Sequence, residues 1–301
     1  MSLTSASRLL RSLTASPLAV ERRTLDAFLG ILRARGLGAS FDGAALHAEM
    51  GIPEPREPSE QGSTDRAVAV IPVVGVISNR AHSMGAGADV IGAAVSRAAA
   101  NDRISAIVLD IDSPGGTVTG VPELAEKIFQ ARQAKPVVAV ANGLMASAAY
   151  WIGAAASEVV ATPSGEVGSI GVFMLHEDWS QYLENEGVKI TEIKAGRYKT
   201  EGAPWRPLDE AAEAHFSAQV REAYDWFVRD VARFRRDSQR NVREGYGEGR
   251  VLTADAAKAA NLVDRVETIE ETIDRLARRG SRRRGARAAV EARKRARARG
   301  Y

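Results

Sequence analysis

The stretch Val140-Ala141-Asn142-Gly143-Leu144-Met145-Ala146-Ser147-Ala148-Ala149-Tyr150-Trp151 sets the reading of the whole chain. The β-branched run Val137 to Val140 has strand character, Asn-Gly predicts a tight turn, and Ala148 to Ala156 has helical composition. A hydroxyl at such a strand-to-helix junction stands where backbone N–H groups lack intrahelical partners and can stabilise negative charge. Ser147 therefore has two readings, a nucleophile or a helix cap, because serine is among the preferred capping residues.

Working outward, Val68 to Ile77 predicts a strand pair or a strand bent at Pro72, and Gly87 to Ala100 a helix. Ile104 to Ile111 reads as a buried strand ending in Asp112-Ser113-Pro114-Gly115-Gly116, and Val121 to Ala134 as a helix closed before Pro136. Beyond the serine, Glu158 to Ala161 and Val188 to Ile193 predict strands, and Ala195 to Gly202 a polar loop. Leu208 to about Arg236 predicts a long helix, Thr253 to Ala257 a capped one, and Ile269 to Leu276 the last. The alternation predicts an α/β fold with a mostly parallel sheet and crossover helices. Ligands in such folds bind at the carboxyl ends of strands, where both glycine turns, 115–116 and 143, fall.

Around this domain, placed at residues 67–277, the chain divides into three further parts. Residues 1–53 read as an N-terminal helical extension, with Leu18, Val20, Leu25, Phe28, Leu29, Ile31 and Leu32 at helical spacing. Residues 54–66, with Pro55 and Pro58 among charges, read as a linker. Residues 278–301 form an Arg-rich tail, expected to be disordered.

The net charge of +3 over 301 residues conceals an asymmetry. Arg278 to Arg299 holds eleven Arg or Lys and one acid, Glu291, a local +10 that leaves the first 277 residues at −7. The basic character belongs to the tail, so a nucleic-acid-binding body is not implied, although the tail itself is suited to non-specific phosphate contact. With no cysteine, disulfides and thiolate chemistry are excluded. The four histidines, His47, His82, His176 and His215, lack metal-ligand spacing, so neither a metal nor a cofactor is expected. No apolar run reaches membrane-span length, and the N-terminal segment, broken by Pro17 and Glu21-Arg22-Arg23, lacks the apolar core of a signal peptide. A cytoplasmic protein is the expectation.

Acyl transfer by serine needs a hydroxyl, a base and N–H donors aimed at the developing oxyanion. Ser147 can be the hydroxyl. Gly115-Gly116 can bring backbone donors close because neither carries a side chain, and the Ala148 N–H is a further donor. For the base, His176 in Leu175-His176-Glu177-Asp178 and Lys199 between Gly196 and Gly202 are both candidates. A lysine acts as base only when desolvation or nearby positive charge lowers its pKa. Spacing does not choose between the two.

Four motifs in order resemble the signal peptide peptidase A family of serine peptidases. They are Ile111 to Gly116, Met145 to Trp151, Val167-Gly168-Ser169-Ile170-Gly171-Val172 and Ala195-Gly196-Arg197-Tyr198-Lys199. The resemblance implies a ClpP/crotonase-like fold and a Ser-Lys dyad, with Ser147 as nucleophile and Lys199 as general base. It further implies an oxyanion hole from Gly116 and Ala148, shaped by Gly115, and Ser169 orienting the lysine amine. The ClpP branch would place a histidine near Thr162-Pro163-Ser164, where this chain has Ser164. Ala148-Ala149 also departs from the glycines that often follow the nucleophile in the family.

The N-terminal extension and the segment Gly202 to Leu208 are similar to the prophage branch, which processes scaffold and capsid proteins. The expected protein is therefore an endopeptidase acting on peptides or unfolded proteins, a homo-oligomer, associated with a phage prohead or the cytoplasm. The rivals are a soluble signal-peptide-degrading peptidase, a crotonase-like acyl-CoA enzyme using the same Gly-Gly pocket, and a non-catalytic assembly protein.

Overall fold

The computed structural model describes residues 17–22, 59–61, 67–80 and 85–279. In chain order its strands are β1 (Leu18–Val20), β2 (Ser59–Gln61), β3 (Ala67–Val74), β4 (Val76–Ser78), β5 (Gly85–Gly87), β6 (Ile104–Ser113), β7 (Gly115–Thr117), β8 (Val137–Ala146), β9 (Glu158–Ala161), β10 (Glu166–Gly168), β11 (Val251–Thr253) and β12 (Arg265–Val266). The helices are α1 (Ala88–Ala100), α2 (Val121–Ala134), α3 (Ala148–Ala154), α4 (Ser180–Asn185), α5 (Glu210–Arg235), α6 (Gln239–Gly245), α7 (Ala254–Ala259) and α8 (residues 269–279).

β3, β6 and β8 lie side by side and parallel, and their runs of Val and Ile are buried because helices cover such a sheet. β8 then changes neighbours along its length. Val138–Ala141 pair with β9, whereas Leu144–Ala146 pair with β10, both parallel. Antiparallel β2 and β11 flank the sheet, and β12 joins β9. A second, four-stranded sheet has the order β1-β7-β4-β5.

Asn142-Gly143 does not end the strand, as the sequence predicts; β8 continues to Ala146. Gly143, at φ 130°, makes the bend between the two neighbours, and an added Cβ would stand 2.7 Å from Asp112 Oδ1. The Asp112 carboxylate accepts the Leu144 N–H at 3.2 Å, and Asn142 Nδ2 donates to Asp110 Oδ1 at 3.0 Å. Two side chains of β6 thus hold the bend that carries β8 on to Ser147.

α3 is pinned from behind. Trp151 stacks on Phe227 of α5 with ring centroids 4.4 Å apart, and its Nε1 donates to the buried Asp230 at 3.1 Å. The fully buried Tyr150 donates to the Leu262 carbonyl at 2.9 Å, and burial raises its pKa, so the phenol stays protonated.

Other expectations change as well. Leu18–Val20 is a buried strand paired with β7, not part of a helix, and Ser59–Gln61 is a strand on β3 rather than linker. Of the two readings of Val68 to Ile77, the strand pair is the one found, divided at Gly75, φ 78°, and the strand bent at Pro72 is not. Val188 to Ile193 is exposed and outside any strand, because no neighbour covers its apolar residues. Thr253 closes β11 and makes no side-chain cap to α7. Residues 1–16 and 23–53 of the N-terminal extension, 54–58 and 62–66 of the linker, and the tail from 280 lie outside the described residues. No helix among the described residues is long and apolar enough to cross a membrane.

Removal of the aromatic stack has a defined cost. Phe227→Ala is expected to destabilise the protein by about 3–5 kcal/mol, read as a lowered urea midpoint, because the ring is fully buried against Trp151.

Candidate active site

Ser147 follows β8 and precedes α3 with φ 55° and ψ −118°, a conformation that non-glycine residues rarely adopt. A sharp strand-to-helix turn of this kind aims a serine hydroxyl away from both elements. The Ser147 N–H donates to the Gly168 carbonyl at 2.8 Å, while its carbonyl receives the Trp151 N–H at 2.9 Å to open α3. Its side chain caps nothing. Among the described residues Oγ has only the Gly171 carbonyl at 3.5 Å, too long to hold the hydroxyl firmly. The second reading from sequence, an N-cap, therefore fails at this residue.

Three backbone segments converge on that turn. An added Cβ on Gly115 would stand 2.9 Å from the Ala148 nitrogen, 2.9 Å from the Ala146 carbonyl and 2.3 Å from the Ala19 carbonyl. On Gly116 it would stand 1.8 Å from the Ile77 carbonyl of β4. Both glycines are thus required by close backbone approach, and φ 96° at Gly115 excludes most side chains independently. Ser113 Oγ donates to the Gly75 carbonyl at 2.7 Å and accepts the Gly115 N–H at 3.2 Å, fixing the entry to the turn.

Ser169 is beside Ser147 through the β8–β10 pairing, also at positive φ, 54°, with its N–H on the Arg250 carbonyl at 2.7 Å. Ser147, Gly115, Gly116, Ala148 and Ser169 are accordingly gathered in one place.

Lys199 is not. It lies in an exposed turn, its N–H on the Gly196 carbonyl at 3.2 Å, and its Nζ forms no hydrogen bond or ion pair among the described residues. His176, the other candidate base, turns Nε2 to the Ala203 carbonyl at 3.4 Å and does not reach Ser147. It lines a cleft of about 720 Å³ with Phe173, Glu201, Leu208 and Phe216.

Sequence reasoning missed the residue that shapes the lysine loop. Glu192 accepts from Lys194 Nζ at 2.6 Å, Thr200 Oγ1 at 2.8 Å and Trp205 Nε1 at 2.8 Å, tying both ends of the turn that carries Lys199. The Lys194 hydrogen bond, then those of Thr200 and Trp205, lower its pKa to about 2. A lone acid in an apolar-looking stretch gives no sign of this, since its partners are two, eight and thirteen residues away.

A serine on a strained elbow, above a parallel crossover sheet and facing a double-glycine strand, is the ClpP/crotonase-like arrangement. Residues 130–281, just over half of the chain, match the family described as Peptidase family S49, and the chain belongs to that family. It is 31% identical to the capsid assembly protease C of Escherichia phage lambda, over 74% of this chain and 53% of that one. It is 31% identical to the head-tail preconnector protein GP5 of Enterobacteria phage P21, over 64% and 40%, and 28% identical to protease 4 of Salmonella typhi, over 74% and 35%. The chain spans about half the length of the curated relatives it matches.

Because the Glu192 pKa is depressed, its hold on the loop is complete above the ordinary glutamate value of 4.5 and is lost only as pH falls through about 2. Glu192→Gln is expected to speed hydrogen exchange across residues 192–206 at neutral pH while the global unfolding midpoint stays within experimental error.

Proposed function

We propose that the chain is a serine endopeptidase, with Ser147 as nucleophile and Lys199 as general base. The observation that carries this reading is the strained φ/ψ of Ser147 beside the Gly115-Gly116 strand, in a chain of the S49 family. Ser147 Oγ attacks the substrate carbonyl carbon as its proton passes to Lys199 Nζ. The N–H groups of Gly116 and Ala148 hold the oxyanion, Gly115 shapes the turn, and Ser169 orients the amine. When the C–N bond breaks, Nζ returns the proton to the leaving amine, and water then hydrolyses the acyl-serine.

The exposed Lys199 supports a dyad completed between two copies of the chain. Its loop also exposes Ile190, Ile193 at 98% and Tyr198 at 57%, apolar surface that a second copy would cover. Docking there takes the amine out of water, which favours the neutral form a base requires. The names of the two phage relatives favour capsid or scaffold proteins as substrates.

Hydrolysis of an unfolded protein and a fluorogenic peptide set tests this reading. Ser147→Ala and Lys199→Ala are each expected to lose activity by at least about 10³-fold. Light scattering is expected to report a homo-oligomer, and mixing the two inactive variants to restore part of the activity, since one retains the serine and the other the lysine. Full activity in Ser147→Ala would instead put the nucleophile at another residue, and inertness of all three proteins towards every substrate would favour the acyl-CoA or assembly readings.

A further inference from the structure

β7 has two hydrogen-bonding edges, and both are taken. On one side Gly116 pairs with Ile77 of β4. On the other lies β1, antiparallel, with Leu18 opposite Thr117, Ala19 opposite Gly116 and Val20 opposite Gly115. The Glu21 N–H donates to the Pro114 carbonyl at 2.7 Å, and the Val118 N–H to the Pro17 carbonyl at 3.3 Å. Hydrogen-bonded pairs alternate along an antiparallel ladder, so the bonded positions are 17/118, 19/116 and 21/114. The Gly116 N–H therefore faces the Ala19 carbonyl.

The far edge of β1 is bonded as well. The Leu18 N–H donates to the Phe173 carbonyl at 2.9 Å, and Leu18 accepts the Phe173 N–H at 3.0 Å. Leu18 and Ala19 have no exposed surface, Val20 has 3%, and Ser147 has none. Ala19 packs in the main core, where Gly115 and Gly116 offer no side chains, while its carbonyl stands within 3 Å of the same point as the Ala148 nitrogen. A nucleophile without exposed surface, beside a strand bonded on both edges, is closed to an incoming peptide.

The geometry points to Pro17–Glu21 as a resident occupant of this chain's own substrate strand. It lies in the slot between Gly115–Thr117 and Phe173 as an extended peptide would, with Ala19 at the residue whose carbonyl faces Gly116. An external substrate binds by displacing it, antiparallel to β7, and carries alanine or a residue of similar size where Ala19 stands. The groove assignment rests on Ser147 being the nucleophile for its catalytic meaning, but occupancy of the slot is measurable without catalysis.

The probe is a fluorescently labelled peptide with the sequence of residues 16–22, followed by anisotropy on Ser147→Ala and on Ser147→Ala combined with Leu18→Asp, which places a charge in a fully buried position. If the resident strand fills the slot about nine-tenths of the time, expelling it tightens peptide binding about tenfold. The same peptide with tryptophan in place of alanine is expected not to bind. Ala19→Pro, which removes one N–H from the ladder with less disturbance, provides the second variant should Leu18→Asp lose its circular dichroism. With Ser147 intact, either substitution is expected to lower KM for a fluorogenic peptide by a similar factor. Equal peptide affinity with and without the β1 substitution, in folded protein, overturns the proposal even if the enzyme cleaves peptides. Tight binding to the β1 variants by a protein that hydrolyses nothing sustains the slot and overturns the peptidase reading instead.

Discussion

The site depends on a strand that changes partners half-way. β8 pairs with β9 over Val138–Ala141, and bending at Gly143 hands its last three residues to β10 and sets Ser147 against Gly168 and Ser169. Asp110 and Asp112 hold that bend from the neighbouring strand through Asn142 and the Leu144 N–H. Ser113, which ends that strand, and Gly115, which opens β7, form the opposite wall of the site. β6 therefore braces the approach to Ser147 and leads into the strand that faces it.

Much of this was legible in the chain. Helices at Val121–Ala134 and Ala88–Ala100 and the strand Glu158–Ala161 followed from periodicity and from Pro and Gly punctuation. The glycines at 115 and 116 read correctly as places of close backbone approach. The errors share a cause. Leu18–Val20 is three residues between Pro17 and Glu21, too short for a period of two to stand out against the helical spacing downstream. Val188 to Ile193 has strand composition yet no strand beside it, and composition alone cannot supply a neighbour. At Asn142-Gly143 a turn signal marked a bend, because the Asp112 carboxylate gives the freed Leu144 N–H a place to bond.

The two halves of the expected dyad differ sharply in setting. Ser147 is immobilised by a core that reaches through Trp151 and Phe227 to the long helix α5. Lys199 rides on a polar loop whose form comes from one carboxylate and three donors. One is fixed by packing, which tolerates salt and pH. The other is fixed by hydrogen bonds near the surface, where water competes and stability is local.

The slot that holds β1 has a bearing on assembly by strands. An open strand edge is a template on which further chains can pair without limit. Here the strand that adds to β7 meets the backbone of Phe173 on its other side, so the outward N–H and C=O of Leu18 are consumed at once. One strand fits and no second can follow. A protein that receives extended chains in this way gains a sheet-forming edge while lacking the means to propagate it.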